Sequence, residues 1–400
     1  MMRSPGARDY AWLFSAYVLA LIGTGVAIVG LALLAFDLSG EGGGKILATA
    51  LTIKVAAYVI VPPVAAALTG RTAKKPLLIA LDLVRAAALV SLPFATAAWQ
   101  LYAAILVFTV ASATFTPTYQ ALVPHLLPDP DDYARALAKS RVAVELENGL
   151  SPAVAAGLLL FLSGRGLFVA VVAAFLVSAV IIARTRLPTL PPAPAGFALW
   201  RMTLGLRLLA RPELRGLVPV HLAAAAGAAM VTVNTVVLVQ GDLGLDARAA
   251  TAAFAIFGLG SVAGALAVPG LLARYSERRI MTAGCALVAA ALLAGAAAAS
   301  AWTGLLVVWA LVGLGAALAV TPAPMMLRRL TPPRRHASAY AAMFALANAA
   351  LLVAYPIAGW VGAADVTHRP GFLALAALAA GATLAAAALL PTGRPAAAAT

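Results

Sequence analysis

The chain has 400 residues, of which 63% are hydrophobic and 10% charged, with a formal net charge of +14. Mean hydropathy is +0.98, and so few charges cannot cover the outside of a water-soluble globule of this size. A disordered chain, a disulfide-stapled secreted domain and most soluble enzymes are excluded, and the lone Cys285 cannot form an internal disulfide.

Twelve apolar stretches follow in order: 11–36, 46–68, 77–98, 101–123, 140–162, 166–183, 216–239, 249–273, 280–300, 302–326, 337–361 and 370–390. Each is close to the ~20 residues that a helix needs to cross about 30 Å of hydrocarbon. Helix is required because lipid offers no partner to free backbone groups. The first stretch is too long for a cleaved signal, and no small-residue cleavage site follows it, so it is expected to stay as the first helix.

The basic residues alternate from side to side. Lys45, Arg165, Arg248 and Arg369 fall in one set of loops, while Lys54 and Arg85 lie within spans. All other Lys and Arg, from Arg3 and Arg8 through Arg328, Arg329, Arg334 and Arg335 to Arg394, crowd the opposite set. This asymmetry places both termini in the cytoplasm. It also accounts for a pI near 10.6 without nucleic acid as a partner.

The chain repeats itself. Asp37-Leu38 matches Asp242-Leu243, Pro63 matches Pro269, Lys74-Lys75 matches Arg278-Arg279, Thr116-Pro117 matches Thr321-Pro322, Pro128 matches Pro332, and Pro152 matches Pro356, all at an offset of 204 to 206. Landmarks in one order at half the chain length indicate duplication. Six spans per copy keep the same orientation, so the repeats are parallel, and a binding site is expected between them near the midplane. The predicted organisation is a six-helix bundle over 1–187, a linker over 188–213 and a second six-helix bundle over 214–400. Pro188, Pro191, Pro192 and Pro194 make the linker extended. Phe197 to Arg211, with Trp200 and three arginines, is expected to lie on the cytoplasmic surface as an interfacial helix.

Over essentially its whole length the sequence resembles the major facilitator superfamily. The loop after the second span runs Thr69-Gly70-Arg71-Thr72-Ala73-Lys74-Lys75-Pro76, with Gly70 where that family has an acid. Its second copy runs from Gly270 through Arg274 to Arg278 and Arg279. Asp82-Leu83-Val84-Arg85, the stretch from Phe115 to Pro124, and Leu150-Ser151-Pro152-Ala153 with Gly157 resemble the branch of enterobactin-type and macrolide exporters. The helix 4 arginine of many proton-coupled drug exporters is absent. The resemblance implies an all-α fold of twelve transmembrane helices and alternating access. It further implies proton-coupled export of a small amphipathic drug, siderophore or metabolite, with no cofactor. Arg71, Lys74, Lys75, Arg278 and Arg279 would belong to conformational-gating loops, and Pro152 and Pro356 to helix packing. A monomer in a bacterial cytoplasmic (inner) membrane is the corresponding expectation.

Ionisable residues inside hydrocarbon are costly and default to functional candidates. They are Lys54, Asp82, Arg85, Glu145 and Glu147, all in the first half. Asp82 and Arg85 are three apart on one helix face, so they either brace the adjacent basic loop as a pair or take part in proton coupling. Glu145 reaches Arg141 one turn back. Glu147 has no basic residue one turn away, lies beside Asn148 and lines up with Ser151, so it is the leading proton carrier. Lys54 either snorkels outward or faces the cavity, as an anion contact or a carboxylate's partner. Tyr119, Gln120, Asn148, Asn234 and Asn348 are candidate cavity contacts, with interhelical hydrogen bonding as the alternative. His221 is expected at the cytoplasmic interface.

Other patterns carry no chemistry. Gly258 to Gly264 follows no strand, so it is a packing surface and not a nucleotide fingerprint. Asp129, Asp131 and Asp132 cap a helix start rather than bind metal, and the histidines are too scattered for zinc. No phosphate loop is present, and no convergent His/Asp or Cys/His set makes an enzyme. A lysophospholipid flippase, a proton-coupled uptake permease and a non-transporting sensor remain as alternatives.

Overall fold

The computed structural model describes residues 5–39, 43–163, 165–189, 207–361 and 369–391. The linker and interfacial helix expected over 188–211 fall largely outside the described residues, as do the side chains of Glu145, Asn148 and Pro152.

Among the described residues the chain forms twelve long helices: α1 (Ala7–Ser39), α2 (Gly43–Thr69), α3 (Lys74–Val90), α4 (Ala98–Leu126), α5 (Pro130–Leu159), α6 (Gly166–Arg184), α7 (Leu217–Val236), α8 (Ala247–Leu272), α9 (Glu277–Ala298), α10 (Trp302–Val320), α11 (His336–Pro356) and α12 (Arg369–Leu389). A turn at Thr321 and Pro322 carries α10 into a further short helix, Ala323–Leu330. Among the described residues ten segments are long and apolar enough to cross a membrane. The α5 helix, with Asp131, Asp132, Arg135, Lys139 and Arg141 in its first half and Glu145 and Glu147 in its second, is not among them.

Local chemistry sets the helix starts. The Asp129 carboxylate accepts the Asp132 amide at 2.9 Å, Pro130 stands at the first helical position, and acids fill the first turn of α5. Asp246 does the same for α8, accepting from the Ala249 amide at 2.9 Å. At the start of α4, the Gln100 side-chain oxygen accepts the Thr96 amide at 2.7 Å. Pro62, Pro63, Pro117, Pro124 and Pro269 sit inside helices, as lipid-embedded helices tolerate. After Pro356 the α11 backbone widens into a π-type turn, Ile357–Val361.

Two compact units result. The first comprises Met1–Tyr133, Leu146–Leu206 and Thr331–Ala345; the second comprises Ala134–Glu145, Arg207–Leu330 and Leu346–Thr400. Within the first, α2 packs on α4, α4 on α3, α3 on α6, and α6 on α1. Within the second, α8 packs on α10, α10 on α9, α9 on α12, and α12 on α7. The same chain of pairings, shifted by six helices, is the duplication expressed in three dimensions.

The buried faces show what the copies share and where they differ. The inner stripe of α3 is Leu78, Asp82, Arg85 and Leu89; that of α9, at identical spacing, is Met281, Cys285, Val288 and Leu292. Only the first copy buries charge there. In the second unit, backbone proximity takes over. A Cβ on Gly260 of α8 would strike the Ala310 carbonyl of α10, and one on Gly313 of α10 would strike the Phe257 carbonyl of α8. The glycine run at 258–264 is therefore a packing surface.

Candidate substrate and coupling site

The charged centre of the first unit is built on α3. The Arg85 guanidinium donates to Asp82 Oδ1 within the same helix. Ser178 of α6 donates to the other carboxylate oxygen at 2.8 Å. The guanidinium lies between two rings, 4.1 Å from the centroid of Phe115 on α4 and 4.6 Å from that of Phe175 on α6. Asp82 is 0% and Arg85 3% exposed. So complete an enclosure gives three helices a common electrostatic anchor and leaves no opening for a ligand.

A second charged group has a different character. On α2, the Lys54 ammonium lies 5.6 Å from the ring centroid of Tyr58, one turn along the helix. The Tyr58 ring meets Phe344 edge-to-face at 5.4 Å. Glu147 of α5 acts electrostatically on both Lys54 and Tyr58. Lys54 and Glu147 are half-buried. The tertiary fold thus supplies the opposite charge that Glu147 lacks along its own helix. With Glu147 ionised the pair is neutral; with Glu147 protonated it carries one positive charge.

The polar candidates separate. Tyr119 is buried and stacks on Tyr17 of α1, with centroids 4.1 Å apart and planes 7° from parallel. Gln120 is half-buried, and among the described residues its amide oxygen has no hydrogen-bond partner. Asn234 is 3% exposed and donates to the Ala358 carbonyl at 3.1 Å, so it ties α7 to the π-type turn of α11. Asn348 is half-buried on α11. His221 is buried near the start of α7, with Nδ1 2.9 Å from the Leu217 carbonyl.

The loop residues also differ among themselves. Arg71 is exposed and Lys75 half-buried, but Lys74 turns inward and donates to the Thr69 carbonyl at 2.8 Å. In the second copy Arg278 donates to the Ala387 carbonyl at the end of α12. Glu277 pairs with Arg329 at 2.9 Å. Among the described residues no group of three or more His, Cys, Asp or Glu could hold a metal ion.

Tyr58, Phe175, Ser178 and Phe344 join these centres without having been singled out by sequence, and Phe115 was quoted there only as part of a resemblance, with no role of its own. Only Tyr58 carried a signal, being one helical turn from Lys54.

The sequence matches the Major Facilitator Superfamily over residues 13–246 and again over 217–400. Among solved structures, the human organic anion transporter MFSD10 (TETRAN) is similar at 16% identity and a TM-score of 0.81, covering 96% of this chain and 100% of that one. A variant of the E. coli fucose:proton symporter FucP is similar at 15% identity and a TM-score of 0.74, covering 98% and 100%. A structure of FucP in the outward conformation gives 15% identity and a TM-score of 0.74, covering 96% and 99%. At such identities the likeness is one of fold. No curated protein sequence matches the chain. Matches to both halves of the sequence and shared architecture over nearly its full length lead to one conclusion: the chain belongs to the Major Facilitator Superfamily.

Proposed function

We propose that this transporter couples proton entry to export of a small amphipathic molecule, with Glu147 as the proton-carrying group. The observation that carries the reading is the half-buried pair of opposite charges from α2 and α5, Lys54 and Glu147, beside the Tyr58 ring. Taking up a proton at Glu147 changes the net charge of this group by one and releases Lys54 from its counter-charge. A change of that kind biases a two-state equilibrium between the alternating conformations. The unmet Gln120 acceptor is a candidate substrate contact. In this reading the protein works as a monomer in a bacterial cytoplasmic membrane with both termini inside.

Lys54 also favours a second reading, uptake of an organic anion. If the anion takes the place of ionised Glu147 on Lys54, proton and substrate travel in the same direction. The sign of coupling separates the two.

A thermal-shift screen of the purified chain identifies a probe, using siderophores, macrolides, lipophilic cations, lysophospholipids, sugars and amino acids at about pH 5.5 and about pH 8. A binder whose stabilisation weakens at the lower pH fits antiport, and one that strengthens fits symport. In proteoliposomes, Glu147→Gln is expected to abolish proton-driven flux of that probe and to spare its exchange. Undiminished proton-driven flux in the variant overturns the assignment.

A further inference from the structure

We propose that the groove where α3 ends and α4 begins binds one anionic phospholipid, with an acyl chain along the groove and the phosphate beside Arg165. The place is the end of these helices away from the basic loop of Arg71, Lys74 and Lys75. A short turn of helix, Leu92–Phe94, lies between them. The groove offers about 520 Å³, a volume typical of small-molecule sites. Ala88, Ala103 and Ala104 line it with small side chains, and Phe94 and Trp99 add large ones that are 79% and 67% exposed. An exposed apolar patch of this kind marks a binding surface, and in a chain that spans the bilayer an acyl chain matches its chemistry.

The groove is polar at one end only. From Gln100 to Val107 it follows α4 for about 10 Å toward the middle of that helix, past Ala103 and Ala104. Ser91 and Gln100 stand at the turn. The Gln100 side-chain oxygen accepts the Thr96 amide at 2.7 Å and the Ala97 amide at 3.2 Å. Among the described residues its amide nitrogen makes no bond, so both N–H donors can meet an ester or phosphate oxygen. Arg165, exposed at the start of α6, donates to the Pro93 carbonyl at 2.9 Å. That contact sets a positive charge beside Leu92 and Phe94, which line the groove. A guanidinium has five donors in a fork that suits phosphate. Trp99, at the same level, is a residue type that settles at membrane–water interfaces. Basic group, aromatic ring and apolar channel thus follow one another in the order of a phospholipid's own parts.

The test is tryptophan quenching of the full chain in phosphatidylcholine vesicles that carry a minor fraction of brominated phosphatidylglycerol or brominated phosphatidylcholine. The Trp99 signal is the difference between the parent and its Trp99→Phe variant. Brominated phosphatidylglycerol is expected to be enriched beside Trp99 about fivefold over brominated phosphatidylcholine, the preference that one basic side chain gives for an anionic lipid. Arg165→Gln is expected to erase the preference and Arg165→Lys to keep most of it. Ala103→Phe, at an exposed position, fills the groove and is expected to erase the preference with Arg165 in place, so the test survives if either variant fails to fold. Equal quenching by the two lipids would mean that Trp99 meets ordinary bilayer and would overturn the proposal. Absence of quenching by both would mean that protein, such as a second copy of the chain, covers the groove, and would overturn it as well. So would a preference that persists in Arg165→Gln or Ala103→Phe.

Discussion

The hydroxyls of Tyr133 and Tyr340, 207 positions apart in the chain, lie 2.8 Å from one another and are buried. Tyr133 stands in the first turn of α5 and Tyr340 in the second turn of α11, two helices related by the internal repeat. His336 packs edge-on to Tyr340 at 6.0 Å and to His125 at 5.5 Å. The start of α11 is thereby fastened to the end of α4 and the start of α5 by rings and one hydroxyl bond.

This bond has a measurable worth. Tyr133→Phe and Tyr340→Phe are each expected to lower stability by about 1 kcal/mol. The double variant is expected to cost less than the two combined, by about 0.5–1.5 kcal/mol, because the second change removes a bond already lost. A double-mutant cycle on thermal unfolding in detergent measures the coupling, and strict additivity would show that the hydroxyls do not act on each other.

The Asp82–Arg85 centre makes the opposite demand on its partners. Asp82→Ala leaves the guanidinium enclosed by Phe115 and Phe175 with no counter-charge, and it is expected to destabilise by about 3–5 kcal/mol. The double change Asp82→Leu with Arg85→Met removes both charges and is expected to recover most of that loss. Thermal unfolding of the three proteins decides it. A double variant as unstable as Asp82→Ala would mean that the pair cannot be replaced by apolar packing.

Asn234 is expected to matter for stability and not for affinity. Its amide is engaged with the Ala358 carbonyl, so Asn234→Leu removes a buried donor from that acceptor and should cost about 1–3 kcal/mol. Probe affinity, measured by titration of the same variant, is expected to stay within about twofold of the parent. A large loss of affinity at unchanged stability would return Asn234 to the substrate site.

The helices and the repeat were legible in the sequence because each span must satisfy its own backbone and stay apolar over its whole length. The 166–183 stretch, for example, became α6, Gly166–Arg184. The Asp82–Arg85 pair was legible for a related reason, since both residues sit on one face of one helix. Ser178, Phe115 and Phe175 were not. A helix that is hydrophobic all round, as α6 is, does not reveal which side meets which neighbour. The same ambiguity affected Asn234: an amide within a span has the same sequence signature whether it faces a substrate or a carbonyl on the next helix. Glu147 and Lys54 could be named as candidates, but only the packing of α2 and α5 brings their charges to bear on each other.

The two charged groups also differ in when they become tolerable during synthesis. Asp82 and Arg85 cancel each other within α3, so this pair brings no net charge into the bilayer. Ser178 completes the site 96 positions later, roughly 5–20 s at ribosomal speed. Lys54 has no such internal remedy, because its counter-charge is carried by α5. The nascent protein therefore holds α2 in the membrane with an uncancelled ammonium until α5 emerges, which makes the interval between these helices the vulnerable stage of its assembly.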